Sequence, residues 1–371
     1  MIKTLFVFGT RPEAIKLCPI ILHLRSRPAD FRVSVCVTAQ HRSMLDQVLR
    51  VFGVQPDYDL DLMRPNQTLS QSTSRMIAAL EPVIADTRPD LVIVQGDTTS
   101  TLCGALAAFY QHIPTAHVEA GLRTHDLSQP FPEELNRVLT ARIAKLHFAA
   151  TAGAAANLSA EGIDSKDVLI TGNSGIDAVL RIRDRLDSGE IAKSNFPWRD
   201  STRRLILVTA HRRESFGAGI ESICQGLLRL AQRGDVQIAY PVHRNPNVEG
   251  PVHRLLGKQP NIELIEPLEY VPFVELMREA SILITDSGGV QEEGPSLGKP
   301  ILVTREKTER PEAVDAGTVR LVGPDGDRIF REASRLLESE EEYARMSHVH
   351  NPYGDGHASE RIADAIYSFF R

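Results

Sequence analysis

Short runs of apolar and β-branched residues alternate with longer amphipathic stretches along almost the whole chain. Runs of that length bounded by Gly, Pro, Asn and Asp read as strands, and their alternation with helical periods is the pattern of a parallel sheet covered by helices on both faces. The pattern predicts strands over 2–8, 33–38, 91–95, 115–118, 147–149 and 168–170 in the first half, and over 205–209, 236–241, 262–265, 282–285, 301–303 and 319–321 in the second. The two series have similar lengths. Between them lie Gly172-Asn173-Ser174-Gly175, a helical stretch and a polar, Pro-containing segment over 193–200, which together read as a hinge and linker. A chain of 371 residues is also too long for one ordinary core. The expectation is an α/β protein of two Rossmann-like, doubly wound domains, 1–171 and 172–357, followed by a C-terminal helix over 358–371.

Composition narrows the function more than the fold. With 42% hydrophobic and 24% charged residues the chain is globular rather than disordered. A net charge of −6 argues against a nucleic-acid partner, because phosphate backbones reward a basic surface. Nucleotide ligands stay open, since a few local cations and backbone donors suffice for them. Cys18, Cys36, Cys103 and Cys224 are scattered in apolar surroundings without metal-ligand spacing, as buried thiols of a reducing compartment would be. The N-terminus runs into a strand pattern without signal-peptide features, and no apolar run approaches the roughly 18 residues of a membrane span. The expected location is the cytoplasm, with no membrane partner.

The unusual polar residues fall just after the strands: Arg11, then Gln40, His41 and Arg42, then Asp97, then Glu119, and in the second half His211, His243 and 286–289. Ligands of open α/β sheets bind beyond the carboxyl ends of the strands. Two such edges facing across an interdomain cleft would gather all of them. In Thr285-Asp286-Ser287-Gly288-Gly289-Val290-Gln291-Glu292-Glu293 a buried strand ends, the backbone turns with little bulk, and a helix opens with N–H groups able to hold a phosphate. Glu292 and Glu293 are then expected in the first helical turn, where one could reach a ribose hydroxyl or simply favour the helix dipole. Arg11 and Lys16, about one turn apart, could grip an anion. Asp97 could act in catalysis or cap the next helix. Glu119, Glu133 and Glu134 add carboxylates, as proton transfer on two faces of a carbon would require, though each alone could be a cap or an ion-pair partner. His211, flanked by Arg212 and Arg213, suits an anion site, whereas the prolines around His243 and Arg244 already explain an ordered loop. No metal spacing emerges among the histidines, and neither a nucleophile elbow nor a Walker loop is present. The first loop, Gly9-Thr10-Arg11-Pro12, lacks the spaced glycines of a dinucleotide site.

The segments FGTRPEAIK, TAQHRSMLDQVL, QGDTTSTL, HVEAGLRT, PFPEELNR, AHRRESFG, YPVHRNPN, TDSGGVQEE and TERPEAV run in this order from Phe8 to Val314, with HNPYGDG following from His350. Together they resemble the non-hydrolysing UDP-N-acetylglucosamine 2-epimerases over essentially the whole chain. The resemblance implies a GT-B-like fold with the last helix packed on the first domain, a homodimer, binding of UDP-N-acetylglucosamine and UDP, and no cofactor or metal. It implies an active-site set of Arg11, Lys16, Asp97, Glu119, Glu133 and His211, with Ser287, Gly288, Gly289 and Glu293 holding UDP. It further implies that Gln40, Ser43, Gln67, Arg212 and His243 would surround a second, activating UDP-N-acetylglucosamine. Ser43, His125 and Arg244 depart from the residues expected at those positions. The implied chemistry is anti elimination of UDP to 2-acetamidoglucal and its return to give UDP-N-acetylmannosamine, a source of N-acetylmannosamine-type sugars for cell-surface polysaccharide. The alternatives are a UDP-sugar glycosyltransferase, which needs an acceptor, a hydrolysing epimerase, a nucleotide-sugar sensor, and a C2 epimerase of a modified UDP-diacetamido sugar.

Overall fold

A computed structural model describes residues 1–38, 42–64 and 66–371, the side chains of Arg42 and Ser43 excepted. The chain forms two compact units, one made of Met1–Ala178 with Tyr353–Arg371 and the other of Val179–Pro352.

The first unit is built on a seven-stranded sheet of β1 (Ile2–Phe8), β2 (Phe31–Val37), β3 (Tyr58–Asp59), β4 (Leu91–Gln95), β5 (Thr115–Ala120), β6 (Leu146–Ala149) and β7 (Val168–Ile170), in the order β3-β2-β1-β4-β5-β6-β7. Every pair is parallel. The central strands are apolar throughout because helices cover both faces. Leu5, Val7, Cys36, Val92 and Val94 belong to one buried cluster with Met76 and Leu80 of the helix Leu69–Thr87 and Cys103 and Ala105 of the helix Thr99–Tyr110. Each such aliphatic side chain contributes about 1.5–3 kcal/mol on full burial. The terminal helix Ala358–Phe369 packs on the helix Arg11–Arg25. Its first turn is fixed by Asp177, whose carboxylate accepts the N–H groups of Ala358 at 3.3 Å and Ser359 at 2.7 Å.

The second unit carries a six-stranded sheet of β8 (Arg204–Thr209), β9 (Val236–Pro241), β10 (Ile262–Ile265), β11 (Ile282–Thr285), β12 (Ile301–Val303) and β13 (Val319–Leu321), in the order β10-β9-β8-β11-β12-β13, again with parallel pairs only. These are the two Rossmann-like sheets expected of a GT-B-like chain. Most strand ends agree with the sequence pattern to within a residue, and the larger differences are in the first sheet. β2 begins two residues before its expected start, β5 continues through an irregularity to Ala120, and the first sheet gains the short edge strand β3, which has no hydrophobic period of its own.

In the second unit the helices Ala218–Ala231 and Gly326–Glu338 meet backbone to backbone. A Cβ on Gly226 would lie 2.7 Å from the carbonyl oxygen of Gly326. Gly226→Ala should therefore push the helices apart and destabilise the unit by about 1–3 kcal/mol. Gly234→Ala, in the turn before β9, with no positive φ and, its chain neighbours aside, nothing described within 4 Å of its Cβ, should instead stabilise by about 0.4–1 kcal/mol. Denaturant midpoints of the two variants, moving in opposite directions, check the packing.

Candidate active site

In the first unit the candidates gather beyond the carboxyl ends of β1, β4 and β5, which are neighbours in the sheet. Thr10 caps the helix Arg11–Arg25 in a capping box with Glu13. Glu13 is fully enclosed, and its carboxylate accepts the N–H groups of Gly9 at 3.0 Å and Thr10 at 2.7 Å and the hydroxyl of Thr98 at 2.8 Å. Burial pushes its pKa up against those hydrogen bonds. Glu13 thus braces the loop that opens the helix, and Lys16, one turn on in the same helix, forms an ion pair with Glu119. Gln95, the last residue of β4, donates to the same Glu119 carboxylate at 2.5 Å. Glu119 stands at the register shift in β5 with φ +61°, a left-handed conformation that costs a non-glycine residue on the order of 1–2 kcal/mol. That bulge is what turns its side chain toward Lys16.

Asp97 is not the cap of the following helix. Thr98 is, accepting the N–H of Thr101 at 3.1 Å. The Asp97 carboxylate is left to meet Arg137 at 2.9 Å, while Asn136 holds its backbone carbonyl at 2.9 Å. Burial raises the Asp97 pKa to about 6; the Arg137 cation opposes the rise, and Glu119 and Glu133 add to it. Its side chain keeps 31% of its surface open, so solvent moderates the shift without reversing it. Glu133 opens the helix Glu133–Ile143 and is half-buried near Asp97. Its neighbour Glu134 is a brace, accepting the N–H groups of Thr124 at 3.0 Å and His125 at 2.9 Å. His117 is buried and donates from Nε2 to the carbonyl of Gly96 at 2.7 Å; burial lowers its pKa to about 3, so it stays neutral and steadies the turn that carries Asp97.

In the second unit the candidates lie beyond β8 and β11, also neighbours. The carboxylate of Asp286, wholly buried, accepts the backbone N–H groups of His211 at 2.5 Å and Arg212 at 2.7 Å. The His211 ring stacks on His243, with centroids 5.1 Å apart and planes 6° apart. Burial lowers the His211 pKa, opposed by Asp286 and reinforced by His243 and Arg212. The glycine turn opens the helix Gly288–Glu293. It is only six residues long, so Glu292 and Glu293 close it rather than occupying its first turn as expected. Ser287 N–H is used internally, donating to Thr285 Oγ1 at 2.9 Å. The Arg310 guanidinium, anchored on Glu292 at 2.7 Å, lies over Gly288 and would have to shift to admit a Cβ there.

Residues 23–367 match the family model described as UDP-N-acetylglucosamine 2-epimerase. An Escherichia coli O157:H7 protein named UDP-N-acetylglucosamine 2-epimerase is 55% identical over 369 residues, 98% of each chain. The chain belongs to the UDP-N-acetylglucosamine 2-epimerase family. Its structure is similar to that of the Neisseria meningitidis UDP-GlcNAc 2-epimerase bound to UDP-GlcNAc, with 48% identity, TM-score 0.91, and 99% of this chain and 100% of that chain covered. It is also similar to the Methanocaldococcus jannaschii UDP-GlcNAc 2-epimerase in complex with UDP-GlcNAc and UDP, at 33% identity and TM-score 0.79 over 99% of each chain.

Within this family member the first unit brings Lys16, Asp97, Glu119 and Glu133 to one sheet edge, and the second brings together His211, Arg212 and His243. Lys16 is paired with Glu119, while Arg11 has no ion pair with a described residue. Gln67 accepts from Arg75 at 2.8 Å in the first unit. Gln40 and the Ser43 side chain lie outside the described residues. Sequence reading missed Gln95, Arg137 and Arg310 as neighbours of the candidates, and it singled out Asp286 without its contact to His211. All four lie in the quoted motif segments, but only the folded chain shows what they touch. Among the described residues no group of three or more His, Cys, Asp or Glu side chains could hold a metal, and no helix is long and apolar enough to cross a membrane.

Asp97 should titrate near pH 6 rather than near the ordinary ~3.9 of an aspartate. Because Arg137 favours the carboxylate form, Arg137→Met should move that midpoint further up. Carboxyl carbon NMR of the labelled protein reads both values; an ordinary midpoint in both proteins would contradict the electrostatics.

Proposed function

We propose that the enzyme interconverts UDP-N-acetylglucosamine and UDP-N-acetylmannosamine by anti elimination of UDP to 2-acetamidoglucal and re-addition with the C2 proton delivered to the opposite face. The observation that carries this reading is the cluster at the edge of the first sheet, where Asp97, Glu119 and Glu133 stand beside Lys16 and Arg137. Carbon 2 of the intact sugar is not acidic, so its proton needs a positioned base, and inversion needs a second group on the other face. An aspartate with its pKa near 6 sits close to the working pH, where one group can both accept and return a proton.

Departure of UDP from carbon 1 gives the elimination its outlet, and charge then builds on the diphosphate. Arg11, Lys16, His211 and the Ser287–Gly289 turn are the groups proposed to stabilise it, with Glu293 on the ribose. The Neisseria and Methanocaldococcus relatives with UDP-GlcNAc bound support that ligand class. The reading includes catalysis without nicotinamide or metal, a cytoplasmic homodimer, and supply of N-acetylmannosamine-type sugars for cell-surface polysaccharide. Arg212 and His243, with Gln67, Gln40 and Ser43, are the proposed neighbourhood of a second, activating UDP-N-acetylglucosamine.

Purified protein given UDP-N-acetylglucosamine after exhaustive chelation, with no acceptor and no nicotinamide, should form UDP-N-acetylmannosamine with UDP retained. Asp97→Asn, Glu119→Gln and Glu133→Gln should each lower kcat by about 10²–10⁴-fold while thermal unfolding stays near wild type. Glu293→Ala should weaken UDP binding before it lowers kcat. Strict dependence on an added cofactor, release of free sugar, or near-normal turnover in all three isosteric variants would sink the assignment.

A further inference from the structure

The carboxylate of Asp286 has two oxygens with different duties. Oδ2 accepts the backbone N–H groups of His211 and Arg212 at 2.5 and 2.7 Å, which fixes the loop after β8 against the end of β11. Oδ1 is buried without a hydrogen-bond partner among the described residues, and His211 Nδ1 lies 3.4 Å from it. A buried carboxylate oxygen left unpaired is costly, so the nearest group able to offer it a proton is favoured to do so. The frame around the pair is rigid. Asp286 N–H donates to the carbonyl of Thr209 at 3.0 Å, the hydroxyls of Thr209 and Thr285 meet at 2.6 Å, and Tyr240 donates to the Ala210 carbonyl at 2.7 Å. His243 stacks flat on the His211 ring and limits its rotation.

We propose that Asp286 is a positioning residue that holds the proton of His211 on Nδ1, so that Nε2, at the far corner of the ring, is the atom His211 presents to substrate. This rests on the reading of His211 as a residue of the UDP site. With Nδ1 protonated, neutral His211 has a lone pair at Nε2 and cannot donate to a phosphate oxygen from there. To bind a diphosphate through Nε2–H it must first take a proton from solvent and become imidazolium, which Asp286 stabilises and which Arg212, His243 and burial oppose. Binding of UDP is therefore coupled to proton uptake at this ring.

The test uses nitrogen NMR of histidine-labelled full-length protein without substrate, with His211→Gln identifying the His211 signals by their loss. In the neutral form of the wild type, Nδ1 should carry the proton and Nε2 should be bare. In Asp286→Asn the carboxamide oxygen can keep the two backbone contacts while its NH₂ faces Nδ1, so the proton should move to Nε2 and the pH at which His211 protonates should fall. Calorimetry of UDP binding in buffers of different ionisation heat should then show uptake of up to about one proton in the wild type near pH 8 and less in Asp286→Asn. A wild-type ring protonated at Nε2, or an unchanged tautomer in a folded Asp286→Asn, would overturn the proposal. The wild-type spectrum decides the point even where the variant fails to fold. It also stands apart from turnover, so failure to epimerise UDP-N-acetylglucosamine would reject the functional reading while leaving the tautomer result intact.

Discussion

Parallel pairing throughout both sheets means that backbone direction alone delivers the carboxyl ends of all strands in a unit to one edge. In each sheet the strand order reverses once, between β1 and β4 in the first and between β8 and β11 in the second. At such a reversal the two following loops leave in opposite directions and open a crevice. Lys16 comes from the helix after β1, Gln95 ends β4, Asp97 follows it, and Glu119 rises from the next strand, β5. His211 and Asp286 follow β8 and β11. The candidate chemistry of each unit therefore sits where topology makes room for it.

Near those edges, similar acidic side chains do different work, and burial with hydrogen bonding sorts them. Glu13, Glu134 and Asp286 are enclosed, and one oxygen of each accepts two backbone N–H groups, which makes them braces. Asp97 and Glu119 instead face cations on long side chains, Arg137 and Lys16, and Asp97 keeps access to solvent. The left-handed backbone at Glu119 is a local cost that nothing in the strand itself requires. It aims a carboxylate at the sheet edge, as strained positions at functional sites commonly do.

The strands were legible in the sequence because strands buried on both faces must be apolar over their whole length. Edge strand β3 was not, since two residues, Tyr58 and Asp59, form it only by pairing with Cys36 and Val37. The residues just after the strands were legible for the same topological reason. Their partners were not: His211 and Asp286 are 75 residues apart, Lys16 and Glu119 are 103 apart, and no local period links them. Asp97 and Thr98 both carry a side-chain oxygen able to cap the next helix, and only the fold shows that Thr98 does so. Glu292 and Glu293 close the helix Gly288–Glu293 because it is only six residues long, a length that its opening glycines do not encode.

The central claim is that carbon 2 of the sugar loses its hydrogen to a carboxylate of the first unit and regains one from a pool in exchange with solvent. Its most direct test is turnover of UDP-N-acetylglucosamine in D₂O, with mass spectrometry and proton NMR of the UDP-N-acetylmannosamine formed. The account predicts deuterium at carbon 2 of the product from the first turnovers. Product that retains the original hydrogen at carbon 2 after full conversion would contradict it and would favour a shielded hydride transfer.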